Sequence, residues 1–541
     1  RKLADMGHRI IPMDMLPLAD AQLSDEELHR RTYWKSGQHI LRSAELISRD
    51  NRLHAIYLSN FSCGPDSFLI TFFRDIMGSK PSLLLELDEH SADAGVVTRL
   101  EAFLESLKNY RPAPPAASAM ATIAASNPDL KGRRLYIPWM GDSAYGVAAA
   151  FRAFGQDAQV IPQCDDAALQ LGRRFTNGKE CLPCATTAGD MLKLIASNNG
   201  DAGKMAFFMP TATGPCRFGM YNCLHRLILR QAGAENCPVL APSQDAGIYE
   251  LLQGNLNGAS RQKFMSHIWA AAAGNDLLSK ILLRTRPYAV RRDEVDALYS
   301  DIRDRWCQAI ESRTSMAKLC GLMGQFAAEF SAVERDTSRR KPRIGIVGEI
   351  YVRSHDYSNG NLIRRLEELG AECDLASLAE WMYYVVCMDK DGAWRSGQWG
   401  KFLKAALTSW YQHNVERRLA APLKQYFGPL AEESIEHTLH LAAPYIDRSF
   451  KGEAVLSVGK IIEYHHKGMG GVINVMPFTC MPSTIVSTQS ARLSQACGNM
   501  PILSLSFDGQ EDPTLTTRLE AFVEQVRQRQ DIGAASLVAH R

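Results

Sequence analysis

One unit recurs along this chain, and a chain that repeats a strand, a cysteine loop and a helix has few folds open to it. Cys63 is followed by Glu86-Leu-Asp88 and then by Thr98-Arg-Leu-Glu-Ala-Phe103; Cys480 is followed by Ser506-Phe-Asp508 and then by Thr517-Arg-Leu-Glu-Ala-Phe522. The hexapeptide is identical in the two, and the Cys-to-Arg distance is 36 residues in the first and 38 in the second. A third, more diverged copy surrounds Cys216. In each, an apolar run (Ala55 to Leu58, Met205 to Met209, Val472 to Met476) enters a turn-forming loop that holds the cysteine: NFSCGPDSF, TATGPCRFGMY and PFTCMPSTI. A helix-like segment follows, then an apolar strand led by Pro81, Pro238 or Pro501. Strand, loop, helix and parallel strand make the βαβ unit of an α/β protein.

Ahead of each copy a helix ends at a glycine, Gly7, Gly155 or Gly370, the residue expected just past a last helical turn. A short strand follows at Ile10-Ile-Pro12, Gln159-Val-Ile-Pro162 and Glu372-Cys-Asp-Leu375. The second and third copies open with one more strand, Arg134 to Pro138 and Pro342 to Val347. The first copy lacks it, so a longer parent chain is expected upstream of Arg1. At about 150 residues per domain, 541 residues make three to four units. The expected fold is α/β, with repeated Rossmann-like parallel-sheet lobes: a partial lobe over 1–111, an Ala/Pro/Ser-rich linker over 112–131, and a fuller lobe with a CxxC loop over 132–269. A helical connector over 270–340 and a lobe with a helical insertion over 341–541 complete the chain.

Composition narrows the function. Hydrophobic residues are 46% and charged residues 22%, which excludes global disorder, and 61 Lys and Arg against 59 Asp and Glu leave no basic excess for a nucleic-acid partner. No apolar run reaches about 18 residues and no secretory pattern opens the chain, so a cytoplasmic protein without a membrane partner is expected. Thirteen cysteines, an odd number, speak against a disulfide framework; such thiols are buried, metal-bound or catalytic.

Each loop cysteine sits at the carboxyl end of a strand, where parallel sheets bind ligands. The middle copy adds Gly178-Lys-Glu-Cys181-Leu-Pro-Cys184, against Gly37-Gln-His-Ile40 and Gly459-Lys-Ile-Ile462 elsewhere. The candidate metal and cofactor ligands are therefore Cys63, Cys181, Cys184, Cys216 and Cys480, with Cys223 left open. Thiolates beside Gly and Pro suit an iron–sulfur cluster, while zinc competes and plain packing is the bland alternative. Arg217, next to Cys216, suits an anionic cluster, a substrate carboxylate or a structural salt bridge. Glu86, Asp88, Glu89, His90 and Asp93 form an acidic cluster better read as a solvated turn, and Gly452 to Lys460 lacks the spacing of a phosphate loop.

The strings NFSCGPDSF, LELDEHSADAG with TRLEAF, TNGKECLPC, TGPCRFGMYN, VGEIYVRS, INVMPFTCMP and FDGQEDP resemble the C-terminal part of the large 2-hydroxyacyl-CoA dehydratase activase-related proteins. These are also described as CoA-substrate-specific enzyme activases or double-cubane-cluster-type reductases, and the resemblance spans Arg1 to about Gln530. It implies dehydratase-subunit-like lobes that hold an iron–sulfur cluster, 4Fe–4S or double-cubane 8Fe–9S, through Cys63, Cys181, Cys184, Cys216 and Cys480. It also implies a partner, an ATPase activator of the actin and sugar-kinase type, that delivers low-potential electrons for reduction of a small-molecule substrate. Met220 stands where the family pattern has Gln, Ser483 where it has Gly, and no ATPase module lies within the chain. Two other readings stay open, a 2-hydroxyacyl-CoA dehydratase-like catalytic subunit and a non-catalytic scaffold with a structural metal. Whether the chain forms a homodimer also stays open.

Overall fold

The computed structural model describes residues 2–18, 26–111, 130–198, 201–242 and 261–539, without the side chains of 26, 27 and 531–539. The linker expected at 112–131 therefore lies almost wholly outside the described residues, as do 243–260 at the end of the second lobe.

The chain is α/β with parallel sheets throughout. Lobe two pairs β3 (Arg134–Ile137), β4 (Ala158–Val160), β5 (Met205–Phe208) and β6 (Val239–Leu240) in the order β4-β3-β5-β6. Lobe three pairs β7 (Arg343–Gly348), β8 (Glu372–Leu375), β9 (Gly471–Pro477) and β10 (Ile502–Phe507) in the same order, β8-β7-β9-β10. Lobe one holds β1 (Ala55–Asn60) and β2 (Ser82–Leu87), the counterparts of β5-β6 and β9-β10. Central strands β5 and β9 are buried at every residue, as expected where helices cover both faces, whereas β1 alternates and leaves Leu58 63% exposed.

One expected strand does not form. Residues 8–12 are irregular, and Ile10 and Ile11 stand about half exposed. The equivalent strands β4 and β8 pair with β3 and β7, the opening strands of their lobes, and the described residues of lobe one hold no such strand to bond with. The glycines themselves read correctly: Gly7, Gly155 and Gly370 all adopt positive φ just past a helix.

Lobe one has little core of its own. Phe68, Leu69 and Phe72 of the helix Gly64–Met77 share one buried cluster with Met191, Phe207 and Leu224 of lobe two. A fully buried Phe or Leu contributes about 1.5–3 kcal/mol, so this shared cluster ties the two lobes together firmly. The connector is three helices, Arg261–Thr285, Arg292–Glu311 and Met316–Ser331. Val295, Tyr299, Ile302, Trp306 and Ile310 recur at helical spacing and are all buried. The first helix starts ahead of the expected 270, because Phe264 packs edge-on against Phe151 and Phe154 of lobe two. The insertion contributes the helices Leu378–Arg395 and Trp399–Ala420 to the same core. Among the described residues no helix is long and apolar enough to cross a membrane.

Candidate metal centre

Four of the five predicted cysteines occupy one kind of position. Cys63, Cys181 and Cys480 each stand at the N-cap of an α-helix, and Cys216 at that of a single 3-10 turn, Arg217–Met220, that runs into the helix Tyr221–Gln231, all on extended backbone. At three of these the sequence reads Cys-x-Pro, as Cys63-Gly-Pro65, Cys181-Leu-Pro183 and Cys480-Met-Pro482, and the proline enters the first helical turn, where an N–H has no helical partner to lose. A helix N-terminus favours negative charge, so each position suits a thiolate.

The Cys63 and Cys480 loops match in detail. The Phe61 and Phe478 N–H groups donate to the last carbonyls of the neighbouring strands, Leu87 and Phe507, at 3.0 and 2.8 Å. The Cys63 and Cys480 N–H groups donate back to Asn60 and Pro477 at 3.0 and 3.1 Å. The residues just before the cysteines, Ser62 and Thr479, both adopt left-handed backbone, φ 61° and 62°. For β-branched Thr479 that is a true outlier; left-handed backbone costs of order 1–2 kcal/mol at either residue, and the strain recurs at the same point of both repeats. Phe61 and Phe478 stand about 60% exposed at these loops.

Arg217 joins the loops. Its guanidinium donates to Ser67 Oγ at 3.1 Å and the Lys179 carbonyl at 3.3 Å, and to the Thr479 carbonyl and Oγ1 at 3.0 and 3.1 Å. Those partners lie on the Cys63 helix, the Cys181 loop and the Cys480 loop, and the Arg217 stem runs past Gly64 at van der Waals distance. The side chain is buried, and among the described residues no carboxylate lies within ion-pair distance of it. Burial works against its charge, but the field of Cys181, Tyr221, Cys480 and Cys216 outweighs that and holds its pKa above the ordinary value. Of the roles open to Arg217 in the sequence, the salt bridge finds no carboxylate among the described residues, with Glu349 near enough only to feel its field. A buried cation without an anion, set among cysteines, is what an anionic group would neutralise.

Burial pushes up the thiols of Cys63, Cys181, Cys184, Cys216 and Cys480. The Cys216 thiol is raised further by the Glu453 carboxyl and by Cys480, which places these groups in one electrostatic neighbourhood. The Glu453 carboxyl is itself pushed up to about 8 by burial and then by Glu349, and its Oε1 is buried without a hydrogen-bond partner. Burial also raises Glu349, at the N-cap after β7. Tyr221 stacks on Phe68 and hydrogen-bonds Cys181 Sγ, while Tyr33 donates to the Cys216 carbonyl.

The five cysteines are not equivalent. Cys181, Cys216 and Cys480 share Arg217 and Glu349 as electrostatic neighbours, and Cys63 reaches the set through Arg217. Cys184 is fully buried in the first turn of its helix, within the core shared by lobes one and two; its Sγ is 3.9 Å from His225 Nε2, and Cys181 and Arg217 are among its electrostatic neighbours. Cys223, left open in the sequence, is buried in the same cluster and joins Cys216 and Cys181 in the field around the Tyr33 hydroxyl. Among the described residues no group of three or more His, Cys, Asp or Glu side chains is arranged to hold a single metal ion. Ligands of a cluster bind different irons and stand farther apart than ligands of one ion. N-capping thiols and a buried cation without a carboxylate partner among the described residues fit such an anionic group, and the Glu453 carboxyl fits beside it only as the protonated acid that its raised pKa favours.

Glu349, Glu453, Tyr33 and Thr479 were not singled out in the sequence. Glu349 had a signal, since it follows β7 as the cysteines follow β5 and β9; Tyr33 had none. Of the acidic cluster, Asp88 to Asp93 are exposed around a turn, with Asp88 accepting from the His90 N–H and Ser91 Oγ at 3.0 and 2.8 Å, while Glu86 lies in β2 and pairs with Lys179. Lys460 is buried within a helix, held by Glu380, Glu432 and Glu463 at 3.3, 2.6 and 3.1 Å, which leaves it no phosphate to bind. Next to Glu349, Ile350 forms part of the wall of a cavity of about 290 Å³ at the ends of β3, β7 and β8, lined also by Asp142, Asp276, Arg286 and Asp356. No protein-family model matches the chain, and no curated protein matches it.

Proposed function

We propose that this chain is an iron–sulfur redox module of the 2-hydroxyacyl-CoA dehydratase activase-related type, working in the cytoplasm. Cys63, Cys181, Cys184, Cys216 and Cys480 hold the cluster between the lobes, and an ATP-hydrolysing activator of the actin and sugar-kinase type supplies low-potential electrons for reduction of a small substrate. When bound, the cluster supplies one-electron chemistry at low potential. The chain's own part is to hold thiolates at helix N-termini, to balance their charge with Arg217, and to limit water through the packing of Tyr221 and Phe68. Five thiolates exceed the four that one cubane takes, which favours the double-cubane form over 4Fe–4S.

The single observation that carries this reading is Arg217, a buried cation with no carboxylate partner among the described residues, whose hydrogen bonds reach the Cys63 helix and the Cys181 and Cys480 loops. The cavity of about 290 Å³ matches the lower end of small-ligand sites and is too small for a whole CoA. A second reading, the dehydratase-like subunit, has one observation in its favour: Cys184 faces His225 in the core, and a set without it leaves fewer thiolates and an iron with an open position.

Anaerobically purified chain tests both. The redox reading expects a brown protein whose visible absorption bleaches on addition of titanium(III) citrate, and Cys184→Ser with lowered iron content. Iron unchanged in Cys184→Ser supports the second reading instead. A colourless, fully folded chain, or zinc in its place after aerobic and anaerobic purification alike, overturns both in favour of a scaffold.

A further inference from the structure

Helix Trp399–Ala420 is apolar on two opposite faces. On one, Val415, Leu419 and Ala420 are buried in the core of the connector. On the other, Trp399, Leu403, Leu407 and Trp410 stand 61%, 60%, 67% and 66% exposed. At 3.6 residues per turn these four fall within an arc of about 80°. Trp394, at the end of the preceding helix, extends the stripe: its ring centroid is 5.0 Å from that of Trp399 and its side chain is 58% exposed. Scattered exposed apolar residues are ordinary, whereas five in one stripe mark an interaction site.

Area and spacing say what covers it. Three tryptophans and two leucines exposed to this degree present on the order of 600 Å² of apolar surface, the most that monomers usually leave open. Two such stripes laid together remove on the order of 1,200 Å² from water, enough for a specific interface. Trp399, Leu403, Ala406 and Trp410 recur at intervals of four, three and four residues, the seam period of two paired helices.

We infer that this stripe is the contact surface of a homodimer, covered by the same helix of a second copy of the chain running antiparallel. A two-fold axis between residues 404 and 405 sets Trp399 opposite Trp410 of the second copy, and Leu403 opposite its Ala406. Leu403 thus meets a small residue, and Gly400 beside the seam adds no bulk, which lets two helices approach closely. The contact uses the same patch on both copies, so it closes at two. It is independent of the chemistry at the cysteines.

Sedimentation velocity on the full chain at micromolar concentration tests this. The expected result is a species of twice 60.1 kDa for the wild type and a monomer for Leu403→Glu combined with Leu407→Glu, with an unchanged circular dichroism spectrum. Trp410→Ala, a milder change on the exposed face, weakens the dimer at least tenfold. A monomeric wild type, a dimer that survives these substitutions, or a monomer that co-sediments through this stripe with phosphatidylglycerol vesicles overturns the inference.

Discussion

Arg217 works as a strut between three loops that lie far apart in the chain, and its removal should be felt in all of them. Arg217→Met leaves Ser67 Oγ and the Lys179 and Thr479 carbonyls without their donor, and the expected loss is on the order of 3 kcal/mol of stability, read from urea unfolding. Arg217→Lys keeps the charge but not the fork, so it recovers only part of the loss. At Ser62 the expected sign is opposite. Its left-handed backbone and exposed side chain suit glycine, so Ser62→Gly raises stability by up to about 1 kcal/mol in the same assay. Asp190 supplies a pH signature. Burial pushes its carboxyl up to about 7 from an ordinary 3.8. Between those values the folded chain keeps a proton that the unfolded chain has released, so this contribution is intact below about pH 4 and is lost as pH rises to about 7. Asp190→Asn removes the slope: its stability by urea unfolding gains on the wild type from pH 5 to about pH 7, by on the order of 2–3 kcal/mol, and levels off above that. At this scale the sequence was informative about cysteines and poor about their partners. Strand-end loops betray the thiols, but Arg217 bonds to Ser67 and Thr479 across 150 and 262 residues, and no local pattern encodes a pairing at such range.

Among the elements, the Cys181 helix Leu182–Ser197 is placed by contact between backbones. A Cβ at Gly172 would lie 1.9 Å from the Ala185 carbonyl oxygen, and one at Gly189 would lie 1.8 Å from that of Ala168. The helix Asp166–Phe175 therefore lies directly against it, with no side chain between. Gly189→Ala must force the two apart, at a cost on the order of 3 kcal/mol, and displaces the Cys181 N-cap with it. The expected readout is a lower thermal midpoint together with reduced iron content. Strands and helices of the repeats were legible because apolar runs, Pro-led strands and Gly caps all agree locally. Residues 8–12 show the limit: their apolar pattern suits a strand, but a strand forms only where a neighbour offers its hydrogen bonds. The close approach of the two glycines was equally invisible, since glycine inside a helix reads as a weakness until the facing backbone is known.

Taken whole, the molecule repeats one design, a parallel sheet in the strand order second, first, third, fourth, in lobes two and three, with half of it in lobe one. Sheets of this kind bind ligands at the carboxyl ends of the strands, where the order reverses, and there the Cys216 and Cys480 loops leave β5 and β9 while Glu349 leaves β7. The third cysteine loop arrives on lobe one, carried by a core shared with lobe two. A centre of the kind proposed above would depend on all three lobes, whereas cysteines that merely pack would not. The direct measurement is iron and acid-labile sulfide per chain after anaerobic purification of the wild type, Cys63→Ser, Cys216→Ser and Cys480→Ser, each checked by circular dichroism. The expected result is at least about four irons with matching sulfide in the wild type and loss of most of both in every variant, with folding intact. A folded wild type free of iron, or variants that keep their iron, would contradict a cluster held between the lobes.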